Sequence, residues 1–128
     1  MDLTGYASYH SASLDARTAS ASPVQLVIVL MDGLLDEMAR ARSHMENRRY
    51  EAKGKSINKC IGILTGLKSA LDSESGGDVV TNLAQLYDYC AWRLNEAGCT
   101  LEPAMIDEVV GLVTTLHDAW RGVEQRHG

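Results

Sequence analysis

Apolar residues recur along the chain at alternating steps of three and four, in four separate runs. The first is Val24, Val27, Met31, Leu34, Met38, Ala41 and Met45, and the second is Ile57, Cys60, Leu64, Leu67 and Leu71. The third is Val80, Leu83, Tyr87, Cys90, Leu94 and Ala97; the fourth is Ile106, Val109, Val113, Leu116, Trp120 and Val123. This is the spacing of helices packed lengthwise against one another. It predicts helices near residues 23 to 47, 50 to 71, 79 to 97 and 103 to 125. No stretch alternates with period two for long enough to compete as a strand, and the connections are short. The fold class that follows is all-α, an antiparallel up-down four-helix bundle spanning residues 22 to 128, preceded by an N-terminal arm.

Local chemistry punctuates these runs. Ser22 is placed to cap the first helix, Pro23 suits the first helical position because its missing N–H needs no partner there, and Gln25 completes a capping box. A helix running on to Asn47 is roughly 37 Å long and spans the whole domain. Glu46-Asn47-Arg48-Arg49 is the first polar break. Asp72-Ser73-Glu74-Ser75-Gly76-Gly77 is the clearest one, with two successive glycines. Gly98 has the position of a C-terminal cap and Pro103 marks the last helix start. Gly54, Gly62 and Gly66 fall at multiples of four, hence on one ridge, although each costs about 1 kcal/mol of helix propensity relative to alanine. A neighbouring helix of the same bundle, or a partner, is expected to approach closely there.

Residues 1 to 21 are rich in Ser and Ala, and their large apolar groups, Tyr6, Tyr9 and Leu14 among them, are too few for a core. This segment is expected to be a partly flexible arm that reaches the bundle through its tyrosines. The 128 residues fit one domain. With 17 acidic against 12 basic residues, a net charge of -5 and no long basic run, nucleic acid is not an expected partner. The longest apolar run, Leu26 to Met31, is far too short to insert stably in a membrane, so the chain reads as cytoplasmic. The three cysteines form no CxxC motif and fit a reducing compartment; Cys60 and Cys90 read as core residues and Cys99, placed after a helix end, as exposed.

Candidate chemistry is sparse. A di-iron site needs two Glu-x-x-His pairs projecting inward, and only Glu124 to His127 has that spacing, with no carboxylate on the stripes. A histidine phosphotransfer module, the alternative signalling reading, needs a supported surface His. Here His10 and His127 are terminal, and His44 and His117 read as ordinary solvated side chains. No nucleophile elbow or phosphate loop occurs, so the chain is not expected to be an enzyme and no cofactor or metal is expected. What remains is apolar surplus beside the stripes: Leu26, Leu30 and Leu35 on the first helix, Val79, Leu86 and Tyr89 on the third, Val110 and Leu112 on the fourth. Apolar strips between helices suit the docking of an amphipathic segment.

Several motifs together resemble a known family, the flagellin export chaperones, also called flagellar secretion chaperone FliS. The resembling pieces are Tyr9, Thr18-Ala19 with Ala21-Ser22-Pro23, Leu30-Met31-Asp32-Gly33, Gly76-Gly77-Asp78, Asn82-Leu83, Leu86-Tyr87-Asp88-Tyr89, Arg93-Leu94, Glu108-Val109 and Ala119-Trp120. The departures are Met31 where the family usually has Tyr, Val80 for Ala, Gly98 for Asn, and one residue inserted between Ala19 and Ala21. The resemblance implies a cytoplasmic four-helix chaperone that binds the C-terminal segment of flagellin in apolar grooves, prevents premature polymerisation, and delivers flagellin to a component of the flagellar type III export gate. The candidate flagellin-binding residues are Tyr6, Tyr9, Leu26, Leu30, Met31, Leu35, Leu86, Tyr89 and Val110. The arm is expected to cover part of the groove and to move on binding.

Overall fold

The computed structural model describes residues 22 to 71 and 76 to 127, so the arm expected at 1 to 21, with Tyr6 and Tyr9, lies outside the described residues. Four helices follow the four apolar runs: α1 Pro23–Glu46, α2 Tyr50–Ser69, α3 Gly77–Thr100 and α4 Pro103–His127. No strand occurs among the described residues. α1 begins as its sequence dictates. Gln25 donates its backbone N–H to Ser22 Oγ at 3.2 Å, and the Ser22 N–H is returned to Gln25 Oε1 at 3.0 Å.

Its other end needs a left-handed residue. Arg48 has φ 57°, the Arg48 N–H bonds the Met45 carbonyl at 3.3 Å, and the Arg49 N–H bonds the His44 carbonyl at 2.8 Å. These two bonds are the Schellman closure, made here by an arginine in a conformation usually left to glycine. α3 also ends on a left-handed residue, Leu101 at φ 60°, whose N–H bonds the Ala97 carbonyl. The cap expected at Gly98 is therefore three residues short of the true cap, Leu101, and Gly98 lies inside the helix. Its role is spatial: a Cβ there would sit 2.9 Å from Ile57 Cδ1 on α2.

Each helix packs on two neighbours, α1 and α3 both lying against α2 and α4, while the diagonal pairs do not come into backbone proximity. Cross-helix bonds fix the directions. Arg42 pairs with Asp107 and Asp32 with His117, so α1 and α4 run antiparallel; Lys53 reaches the Gly98 carbonyl and Lys68 reaches Asp88, so α2 and α3 do too. The centre is closed, with Met31, Leu34, Met38, Cys60, Leu94, Ile106 and Val109 all buried. Burying side chains of this kind contributes about 1.5 to 3 kcal/mol each, which makes this layer the main source of stability.

Candidate functional site

The four apolar stripes are not sealed equally along their length. Where α1 ends and α2 begins, Met45, Ile57, Ala97 and Ile106 are buried. At the opposite end, where α1 and α3 begin and α2 and α4 finish, Val24, Val27, Leu71, Val80, Leu83, Leu116, Trp120 and Val123 are only half-buried. These were expected to be core. Val27, Leu71, Leu83, Leu116 and Trp120 pack against the buried core, and together these side chains leave a partly exposed apolar mouth at one end of the bundle.

Candidate residues on the flanks distribute over three seams. Leu26 and Leu30 share a face with Gly33, which lies against Ile63 of α2, so they line the α1–α2 seam. Leu35 is two turns before Arg42, which bonds Asp107, and Val110 is one turn after Asp107; both line the α1–α4 seam. Leu86 and Tyr89 line the α3–α4 seam, where the Tyr89 hydroxyl donates to Glu108 Oε2 and Arg93 Nε donates to Glu108 Oε1 at 2.7 Å. Met31 is a correction. It is fully buried at the bundle centre, because it continues the stripe of Val27 and Leu34, and it presents no surface to a ligand.

Polar positions inside the seams also differ from expectation. His117 is buried rather than solvated, with Nε2 2.6 Å from Asp32 Oδ1, since it follows Val113 by one helical turn. Glu37 is a buried carboxylate beside the α1 stripe and accepts from Arg40 at 2.9 Å. His44 accepts the Arg49 Nε–H on Nδ1 at 2.9 Å. His117 is thus no free surface nucleophile and His44 has one ring nitrogen engaged, which weighs against phosphotransfer at these two positions. No group of three or more His, Cys, Asp or Glu side chains among the described residues is arranged to hold a metal ion.

Burial, reinforced by the nearby Glu37 charge, pushes the Cys60 thiol up to about 12; burial, with the Glu108 charge adding to it, pushes Cys90 up to about 11. Both stay protonated and serve as small apolar residues. Cys99 is exposed, in the last turn of α3 rather than beyond it. The hydrogen bond from Tyr89 and then that from Arg93 hold the Glu108 carboxyl below its ordinary range, and the same contact raises Tyr89.

Sequence reasoning passed over Trp92. It is 54% exposed on the outer face of α3, its ring centroid 6.0 Å from that of Tyr89. The signal was available, because Trp92 falls two positions off the Cys90 and Leu94 stripe and so points away from the core. A family model described as "Flagellar protein FliS" matches residues 5 to 127. The chain belongs to the FliS family. It is 40% identical over 115 residues to "Flagellar secretion chaperone FliSB" of Pseudomonas aeruginosa, covering 90% of this chain and 91% of that one. It is 38% identical over 124 residues to "Flagellar secretion chaperone FliS" of Salmonella typhimurium, covering 96% and 92%, and 29% identical over 128 residues to that of Bacillus subtilis, covering 96% and 92%. These FliS relatives are named as chaperones, not as enzymes. No helix among the described residues of this FliS-family chain is long and apolar enough to cross a membrane.

Proposed function

We propose that the chain is a cytoplasmic export chaperone whose client is flagellin, held by its C-terminal segment. The observation that carries this reading is the apolar mouth at the end of the bundle where α1 starts, continued into the seams by Leu30, Leu35, Leu86 and Val110, in a chain related along nearly its whole length to flagellar secretion chaperones. A disordered segment with apolar stripes risks self-association until another helical surface covers them. Folding such a segment onto the bundle costs on the order of 2 to 5 kcal/mol in ordering, so a wrapped interface over several seams suits the task better than one pocket. Covering those stripes prevents premature polymerisation, and reversible binding lets a component of the export gate receive the client.

Tyr6 and Tyr9 extend the binding surface in this reading, because tyrosine offers apolar area with a polar tip. Pull-down from native cytosol tests the client: flagellin recovered supports the proposal, and a response regulator in its place supports phosphotransfer. Calorimetry then tests the arm. Tyr9→Ala is expected to weaken flagellin binding by about 1 to 3 kcal/mol, as for a moderate aromatic anchor. Equal affinity in wild type, Tyr9→Ala and a chain lacking residues 1 to 17 makes the arm a bystander.

A further inference from the structure

A Cβ at Gly54, Gly62 or Gly66 would meet nothing within 4 Å, so the close approach of a bundle helix expected on that ridge is absent among the described residues. The chemistry that the client-binding reading leaves unused lies at the end of the bundle opposite the mouth. Several basic side chains are paired within the chain: Arg40 with Glu37, Arg42 with Glu46 and Asp107, Lys55 with Glu51, Lys68 with Asp88, and Arg93 with Glu108. Arg48 and Arg49, side by side in the turn between α1 and α2, are exposed, and neither meets a carboxylate among the described residues.

Arg49 is nonetheless held in place. Its Nε–H is donated to His44 Nδ1 at 2.9 Å and its Nη2 donates to Ser43 Oγ at 3.3 Å. A ring nitrogen that accepts carries no proton, so both acceptors are neutral groups; the guanidinium is oriented without being neutralised, and donors remain for another acceptor. Arg48 takes the left-handed position of the Schellman closure at φ 57°, where glycine would close the helix with less strain. An arginine there gives up backbone energy for a side chain that makes no hydrogen bond or ion pair among the described residues. An apolar component stands beside them. Tyr50 is 48% exposed, Lys53 Nζ lies 5.9 Å from its ring centroid, and Lys53 donates to the Gly98 carbonyl at 2.7 Å. Leu101, also exposed, is three residues beyond Gly98 at the same end.

We propose that this turn docks a different protein through a segment in which adjacent carboxylates flank an apolar side chain, the carboxylates meeting Arg48 and Arg49 and the apolar group lying on Tyr50. Two guanidiniums without acidic partners are complementary to such a segment, and each can take a carboxylate on two parallel N–H donors. Tyrosine beside arginine is also the composition of energetic centres in protein interfaces. A phosphate polymer fits less well, because it needs a longer run of cations, and here Glu46 and Glu51 bound the turn on either side. The turn is remote from the mouth: the 24 residues of α1 separate them by about 36 Å. A partner on the turn therefore leaves the mouth open, and the inference stands whichever client the mouth accepts.

An NMR titration of the full chain with a capped peptide, Asp-Glu-Leu-Asp-Glu, tests this by following backbone amide and arginine Nε–H signals. Saturable shifts are expected at Arg48, Arg49 and Tyr50, with a dissociation constant on the order of 1 mM for so short a probe, and weaker binding at high salt. The same peptide with lysine in place of each acid should leave these signals still. Arg48→Gly should raise the dissociation constant about three- to tenfold while the melting temperature holds or rises, since glycine relieves the left-handed backbone, so lost binding cannot be confused with lost fold. Adding Arg49→Gln should abolish binding. No shift at the turn at about 5 mM peptide, undiminished affinity in the double variant, or equal shifts with the lysine peptide overturns the proposal. Tighter binding of a short oligothymidylate at the same residues overturns it as well and assigns the turn to phosphate.

Discussion

Replacing Gly98 with alanine sets two known effects against each other at one position. Alanine in a helix interior is favoured over glycine by about 0.8 to 1 kcal/mol. At Gly98 the new methyl would stand 2.9 Å from Ile57 Cδ1, and Ile57 is itself buried, so it has little room to turn. Overpacking of this kind costs about 1 to 3 kcal/mol, and the net change should be a loss between about 0 and 2 kcal/mol. Gly111 provides the control, because a Cβ there meets nothing within 4 Å; Gly111→Ala should gain about 1 kcal/mol. Ile57→Val removes the clashing Cδ1 at its own cost of about 0.5 to 1.5 kcal/mol. In that background Gly98→Ala should become stabilising. Urea midpoints at constant slope measure all four changes, with 1 kcal/mol appearing as roughly 3 to 5 °C in Tm. Equal stabilisation by Gly98→Ala and Gly111→Ala in the wild-type background would refute the close α2–α3 approach.

Other perturbations follow from the same structure. Leu64→Ala empties a buried site and should cost about 2 to 5 kcal/mol in chemical denaturation. Arg48→Gly relieves a left-handed arginine at the end of α1 and should stabilise by about 1 kcal/mol, whereas a loss would mean that the Arg48 side chain matters more than its backbone. Glu108 has a folded-state pKa below its unfolded value, so its contribution is present above the ordinary glutamate range and is lost as pH falls through the folded value. Tyr89→Phe removes the larger cause; an NMR titration should find the Glu108 midpoint moved upward, and the stability gap from wild type should narrow in acid.

The bundle was legible because its signals are local and repeated. Four heptad stripes, the Ser22-Pro23-Gln25 box and Pro103 each placed an element within a few residues. What escaped depends on neighbours. Gly98 looked like a cap because it closes the α3 stripe, yet the chain turns at Leu101, and only the proximity of Ile57 explains the glycine. Arg48 gave no sign of its left-handed backbone. His117 and Glu37 were treated as solvated or off-stripe because they are polar, although both continue apolar spacing by one turn. Met31 was assigned to both core and surface; burial decides for the core. The half-buried end was hidden because periodicity says which face turns inward, not whether anything closes over it.

The claim that this chain holds flagellin by its C-terminal segment is tested most directly by calorimetric titration with two purified forms of the client, intact flagellin and flagellin lacking that segment. Saturable binding to the intact protein and none to the truncated one is the predicted result. Equal binding to both forms, or none to either, would contradict it.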